Sequence, residues 1–223
     1  MRRRWPTAVV TAGLVLLGLY VLFPFAWMLI TALKTEQEAL RIPSTWWPER
    51  PTVDAFVAMW TRKNYGLYFL NSTVISLGTA VLSSALGALA AYGFSRFPLR
   101  AGSFLMGFIL TTQMLPGVLL VGPYFRVLTT LGLYDTRTGL VIAFLTICLP
   151  FATWMMKGFI DSVPRELDEA ARVDGCGWLA IFARVVLPLS LPGLVATTLF
   201  AFLLAWGDLL WVSTLTHSES MVT

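Results

Sequence analysis

Long apolar runs separated by short polar stretches set the rhythm of this chain. About 20 predominantly apolar residues carry a helix across a bilayer core about 30 Å thick. Five runs meet that length: residues 7–33, 69–94, 103–124, 138–160 and 189–212. Two polar stretches stand out between them. Residues 34–68 contain Pro43, Trp46, Trp47, Pro48 and Pro51, and residues 161–188 are rich in charge and return to helical periodicity. The predicted fold is all-α and membrane-integral, a bundle of about five transmembrane helices forming one domain over 1–223.

Composition agrees with the pattern. Hydrophobic residues make up 57% and charged residues 13%, against the roughly 25% charge of an ordinary soluble domain, and the mean hydropathy is +0.74. The net charge of +4 does not signal a nucleic-acid partner, because the arginines sit at the ends of apolar runs, where they snorkel and set orientation. Arg2, Arg3 and Arg4 precede a first run longer than the roughly 7–15 residues of a secretory signal, and no small-residue cleavage site follows, so a retained anchor is expected.

Catalytic chemistry has little to build on. His217 is the single histidine, which leaves no zinc cluster and no His-activated nucleophile. Cys148 lies in an apolar run and Cys176 in the polar loop, without metal or redox spacing. A Gly-rich phosphate loop ending in Gly-Lys-Ser/Thr is absent from the sequence, so no nucleotide is expected to bind in this chain. No catalytic residue, metal or cofactor is assigned.

With Arg2 to Arg4 in the cytoplasm, alternation puts Arg96 and Arg100 in a short cytoplasmic turn and residues 161–188 on the same side. Residues 34–68 then lie outside, with Trp46 and Trp47 as interfacial anchors or, in the alternative, as ligand-stacking rings. The basic residues are otherwise nearly balanced: Lys157, Arg165, Arg172 and Arg184 add to the inside, while Lys34, Arg41, Arg50, Arg62, Lys63, Arg126 and Arg137 fall outside. Orientation therefore rests on the short loops.

Small residues mark the second run: Ser76, Ala80, Ser84 and Ala88, with Ser83, Gly87 and Ala91 beside them, form stripes that let backbones approach. They suit packing within the chain or an interface with a second subunit. Gly107, Pro116, Gly117 and Gly122 should loosen the third run, as at broken helices beside a water-filled path. Gln113 and Asp208 are the intramembrane polar residues to weigh, Asp208 either lining a path or sitting near the outer headgroups. Trp206 is a sugar-stacking ring or an interfacial anchor, and Lys157 is expected to snorkel.

The loop at 161–188 reads in detail. Pro164 suits the first turn of a helix, Glu166, Asp168 and Glu169 complement its positive end, and Gly175 suits a left-handed stop. On this helix of about three turns, Leu167, Ala170 and Ala171 share a side at i, i+3, i+4, leaving a low surface for another protein. A second helix follows Gly177, with Trp178, Ile181, Phe182, Val185 and Val186 on its apolar face and an end before Pro188.

Pro164, Glu169-Ala170-Ala171, Asp174-Gly175, Phe182, Leu187-Pro188 and Pro192 together resemble the EAA loop of permease subunits in bacterial ATP-binding-cassette (ABC) importers. Phe23-Pro24, Asn71-Ser72, Ala90-Ala91-Tyr92, Phe94-Ser95-Arg96, Leu115-Pro116 and Trp206-Gly207-Asp208 extend the similarity to sugar-importer permeases, particularly the smaller permease of the maltose transporter. The resemblance implies a multi-pass permease of a bacterial or archaeal plasma membrane that moves a sugar by alternating access. Its implied partners are a second permease subunit, two ABC ATPase subunits holding ATP and Mg, an extracellular solute-binding protein, the sugar and membrane lipids. Leu167, Glu169, Ala170, Ala171, Asp174 and Gly175 would contact or shape the ATPase coupling site, with Gln113, Trp206 and Asp208 along the translocation pathway. Relatives usually carry Asn where Gly207 stands, and the family has a sixth span beyond the five read up to Thr223. Other readings are an ABC importer of a phosphorylated polyol or amino acid, or a membrane scaffold.

Overall fold

The computed structural model describes residues 7–62, 64–218 and 221. Arg2, Arg3, Arg4, Lys63 and Thr223 lie outside these, as does the side chain of Arg62. Among the described residues every regular element is helical. The backbone divides into two compact units, residues 1–66 and 67–223.

The first unit begins with α1 (Thr7–Ala32), apolar all round, with a mean hydropathy of 2.3 and no buried residue. Residues 33–53 are ordered by polar contacts rather than by a core. The short helix α2 (Glu36–Ala39) is capped by Thr35, whose side chain accepts from the Glu38 N–H. Lys34 donates to the Thr45 carbonyl and sits 5.0 Å above the Trp27 ring. The Glu38 carboxylate accepts from Thr45 Oγ1 at 2.7 Å and the Glu49 N–H at 3.0 Å. The Thr45 hydroxyl, then the Glu49 amide, hold this carboxyl below its usual range. The connection also contains a helix not anticipated from its sequence, α3 (Asp54–Arg62). Trp46 and Trp47 are both exposed, with Trp46 edge-on to Trp27 at 5.4 Å.

The second unit is built around two long helices, α4 (Tyr65–Arg96, its first two residues in the first unit) and α7 (Arg137–Asp161). With α1 these are, among the described residues, the three single helices long and apolar enough to cross a membrane. The small stripes of α4 are buried inside the chain: Ser76, Ala80, Ser83, Ser84, Gly87, Ala88 and Ala91 all face neighbours. A Cβ on Gly87 would lie 2.9 Å from Ala152 Cβ and 3.0 Å from its carbonyl carbon, so α4 and α7 touch backbone to backbone. Thr136 caps α7 by accepting from the Gly139 N–H at 3.0 Å, and the boundaries of α7 match the predicted run to one residue at each end.

The third and fifth runs are not single rods. The third is α5 (Gly102–Thr111), a 3₁₀ turn at Thr112–Met114, and α6 (Gly117–Thr130), bent by 97°. Pro116 supplies no N–H and forces Leu115 into an extended conformation, φ −74° and ψ 126°, so the ladder stops there. Helix also continues six residues beyond the predicted end at 124.

The element predicted to stop before Pro188 instead runs on, as α9 (Trp178–Ile181), a wide π turn at Phe182–Val186 and α10 (Leu187–Leu189). After Ser190 the chain bends by 81° into α11 (Leu191–Gly207). The predicted continuous run 189–212 is corrected here: it breaks at Asp208, extended at φ −89° and ψ 120°, and resumes as α12 (Leu210–Leu215). Counting each bent pair as one span gives up to five spans, by length and composition.

Two apolar clusters hold this unit. Phe144, Leu140, Ile75, Leu128, Trp211 and Leu215 form one, toward the Asn71 end of α4. Met156, Ile160, Ile181, Phe182, Val186 and Tyr92 form the other, toward the Arg96 end. At burial values of about 25 cal/mol per Å² of apolar surface, such clusters supply most of the packing energy. The second explains the periodicity after Gly177, since Ile181, Phe182 and Val186 are the residues turned into it.

Candidate functional site

Residues 161–177 carry a short helix held against the Arg96 end of α4. The helix is α8 (Arg165–Val173), with Pro164 one position before it rather than within its first turn. Its far end closes as a Schellman motif. Gly175 is left-handed at φ +83°, its N–H donates to the Arg172 carbonyl at 3.0 Å, and the Cys176 N–H donates to the Ala171 carbonyl at 2.9 Å. Gly175 therefore stops the helix in the way its position implies.

The near end is fixed by charge. Asp168, expected to complement the helix dipole, is instead turned inward against Arg96, with Nε–Oδ2 at 2.5 Å and side chains only 7% and 3% exposed. Arg96 also donates from Nη2 to the Val163 carbonyl at 2.9 Å and from Nη1 to Ser95 Oγ at 3.2 Å. Ser95 Oγ donates to Asp161 Oδ1 at 2.6 Å, and Arg165 Nη2 donates to the Ser95 carbonyl at 2.7 Å. Lys157, read as a snorkelling residue, donates to Asp161 Oδ2 at 2.5 Å. Removing one partner of a buried ion pair typically costs about 3–5 kcal/mol, because the other charge is stranded. The last turn of α4, the end of α7 and α8 are thus one polar node.

The six residues singled out on this loop divide. Leu167, Glu169, Ala170, Asp174 and Gly175 are exposed, whereas Ala171 is partly buried and packs toward the apolar cluster below. The single low surface of Leu167, Ala170 and Ala171 is corrected accordingly: Ala171 faces inward, as Asp168 does, and the free face is Leu167 with Ala170. Val173, not singled out from the sequence, is 89% exposed. Its apolar side chain in a charged stretch was the available signal. Trp178 follows, with Arg172 above its ring at 4.7 Å, Phe97 against it at 5.0 Å, and its carbonyl accepting from Tyr92 Oη at 3.3 Å.

The intramembrane candidates each have a local partner. Gln113, exposed at the break of the third run, donates from Nε2 to the Ile147 carbonyl of α7 at 2.7 Å. Asp208 accepts from the Trp211 N–H at 2.8 Å and so caps α12. Trp206 stacks on Phe202 and meets Phe69 edge-on, both at 5.4 Å. The two helix breaks adjoin, since a Cβ on Gly117 would lie 3.5 Å from Trp211 Nε1. Trp206 lies on the face toward α4 instead. Tyr124, reaching Thr146 at 2.5 Å and the Trp211 ring at 4.9 Å, ties α6 to the same region and was not foreseen.

Residues 83–222, which include the node, α8 and both helix breaks, match the family described as "Binding-protein-dependent transport system inner membrane component". The chain belongs to that family. This permease is 36% identical to the inner membrane ABC transporter permease protein YcjP of Escherichia coli over 213 residues, covering 95% of the chain and 76% of YcjP. It is 33% identical over 207 residues to the trehalose transport system permease protein SugB of Mycobacterium tuberculosis, covering 92% and 74%. It is also 33% identical over 189 residues to the sulfoquinovosyl glycerol transport system permease protein SmoH of Agrobacterium fabrum, covering 85% and 66%. Its fold is that of a chain in the crystal structure of a bacterial ABC transporter involved in the import of the acidic polysaccharide alginate, with a TM-score of 0.82 at 24% identity, covering 97% of this permease and 76% of that chain.

Proposed function

We propose that this permease is the membrane subunit of an ABC importer that carries a mono- or oligosaccharide into the cell by alternating access. Relatives named for trehalose and sulfoquinovosyl glycerol transport support the solute class. In this reading two ATPase subunits, which hold the ATP and Mg, supply the motion, a second permease subunit completes the pathway, and an extracellular binding protein delivers the sugar. The N-terminus and α8 face the cytoplasm, with residues 34–68 outside.

The observation that carries the proposal is α8 itself. Its outer face of Leu167, Glu169, Ala170, Val173 and Asp174 is free, while its inner side is fixed by Asp168 and its end by Gly175. A helix that is exposed on one side and rigid on the other suits transmission of a rigid-body movement. Ala170 leaves room for a partner surface, and Leu167 and Val173 give it apolar area to bury. Gln113 and Asp208 enter as residues that hold two adjoining helix breaks, a setting suited to a pathway.

Mild-detergent purification of the tagged permease from its native membrane, with mass spectrometry of what stays bound, tests this. An ATPase and a second multi-span permease should co-purify, and Leu167→Asp should release the ATPase. An intact permease that comes out alone would overturn the proposal.

A further inference from the structure

Chain connectivity joins α8 only to α7 before it and to α9 after it, yet its charged inner side is tied to α4. Arg96 and Asp168 meet at 2.5 Å with almost no exposure, and Arg165 reaches back to the Ser95 carbonyl at 2.7 Å. Ser95 and Arg96 belong to the last turn of α4. Arg96 also grips the Val163 carbonyl in the segment that leads into α8. The guanidinium thus bridges the approach to α8 and the helix itself, and a fork of that shape resists rotation better than a single point charge.

We infer that Arg96 and Asp168 are positioning residues that lock α8 to α4, making α4 the span driven when α8 is displaced. This rests on the coupling reading above. Neither side chain belongs to the free face of α8, so the pair acts through the helix and does not meet a partner. The pair is also nearly dry, so solvent cannot substitute for either half during movement. Its loss should leave α8 docked but loosely joined to α4.

The test uses the assembled importer in lipid, with ATPase subunits and second permease present and Cys176 replaced by serine. Spin labels at Val74 on α4 and Thr138 on α7, both exposed, report the separation of the two helices by electron resonance with and without ATP and vanadate. In the otherwise unchanged permease the nucleotide should shift that distance. Asp168→Asn should cut the shift by about half or more while ATPase capture and basal hydrolysis persist. If Asp168→Asn does not assemble, Arg96→Lys keeps the charge, loses the fork and carries the same expectation. A full shift in an assembled Asp168→Asn or Arg96→Lys importer would overturn the lock. Failure of the coupling reading is separately visible: the parent permease would then retain no ATPase.

Discussion

Replacement of Gly175 isolates one physical cause. Its φ of +83° lies in the left-handed region, while nothing stands within 4 Å of where a Cβ would be. Any cost is therefore conformational rather than steric. An L-residue held left-handed costs roughly 1–2 kcal/mol, and a β-branched side chain lies at or above the top of that range. Asparagine tolerates the region and should cost a few tenths. Every 1.4 kcal/mol is a tenfold change in an opening equilibrium, so opening of the helix end should rise about 30-fold in Gly175→Val, up to about tenfold in Gly175→Ala and about twofold in Gly175→Asn. Hydrogen exchange of peptides spanning 165–177 reads this directly, because the amides of Gly175 and Cys176 close the Schellman motif. In the assembled importer, transport-coupled ATP hydrolysis should fall in the same order. Equal protection in the valine and asparagine variants would refute the conformational argument. Unchanged coupling in a locally frayed valine variant would remove α8 from the mechanism.

Three further outcomes follow from other contacts. Gly87→Ala should lower the detergent melting temperature by overpacking the α4–α7 contact, at about 1–3 kcal/mol, whereas Gly93→Ala, with nothing within 4 Å, should not. Asp208→Ala should lose a helix cap worth about 1 kcal/mol, and Asp208→Asn should retain it; equal damage in both would point to the charge instead. Asp135 accepts first from the His217 N–H and then from the Ser218 hydroxyl, which hold its carboxyl below the usual range. A depressed carboxylate contributes stability above its unfolded pKa of about 3.9 and loses it as pH falls through the lower folded value. Proteolysis near Ser218 should therefore rise below about pH 4, and Asp135→Asn should be cut readily at all pH values.

Much of this fold was legible because single residues acted locally. Thr136 and the apolar run after it place α7, Gly175 ends α8, and the small stripe through Gly87 marks where α4 can be approached. The sharp breaks were less legible, since hydropathy averages across them. Pro116 warned of a loosened helix but not of a 97° bend, and Asp208 read as a polar residue inside a span rather than as a cap between two helices. The π turn at Phe182–Val186 was hidden for a related reason: Pro188 reads as a stop, and a widened turn lets the helix pass it. In the candidate site, the free face was partly visible, but Asp168 and Arg96 each had a sufficient local explanation, helix dipole and orientation, and only the tertiary structure brings them together.

The contact at Gly87 also has a kinematic meaning. Two rods separated by no more than the Ala152 methyl can rock about the point of contact but cannot slide through it. At a rise of about 1.5 Å per residue, Arg96 lies about 13 Å from Gly87 along α4 and Asn71 about 24 Å away on the other side. The helix is then a lever with unequal arms: a displacement of about 2 Å at Arg96 becomes nearly 4 Å at Asn71, in the opposite direction. A small push at one end of this span is amplified at the other, with the sense of motion reversed.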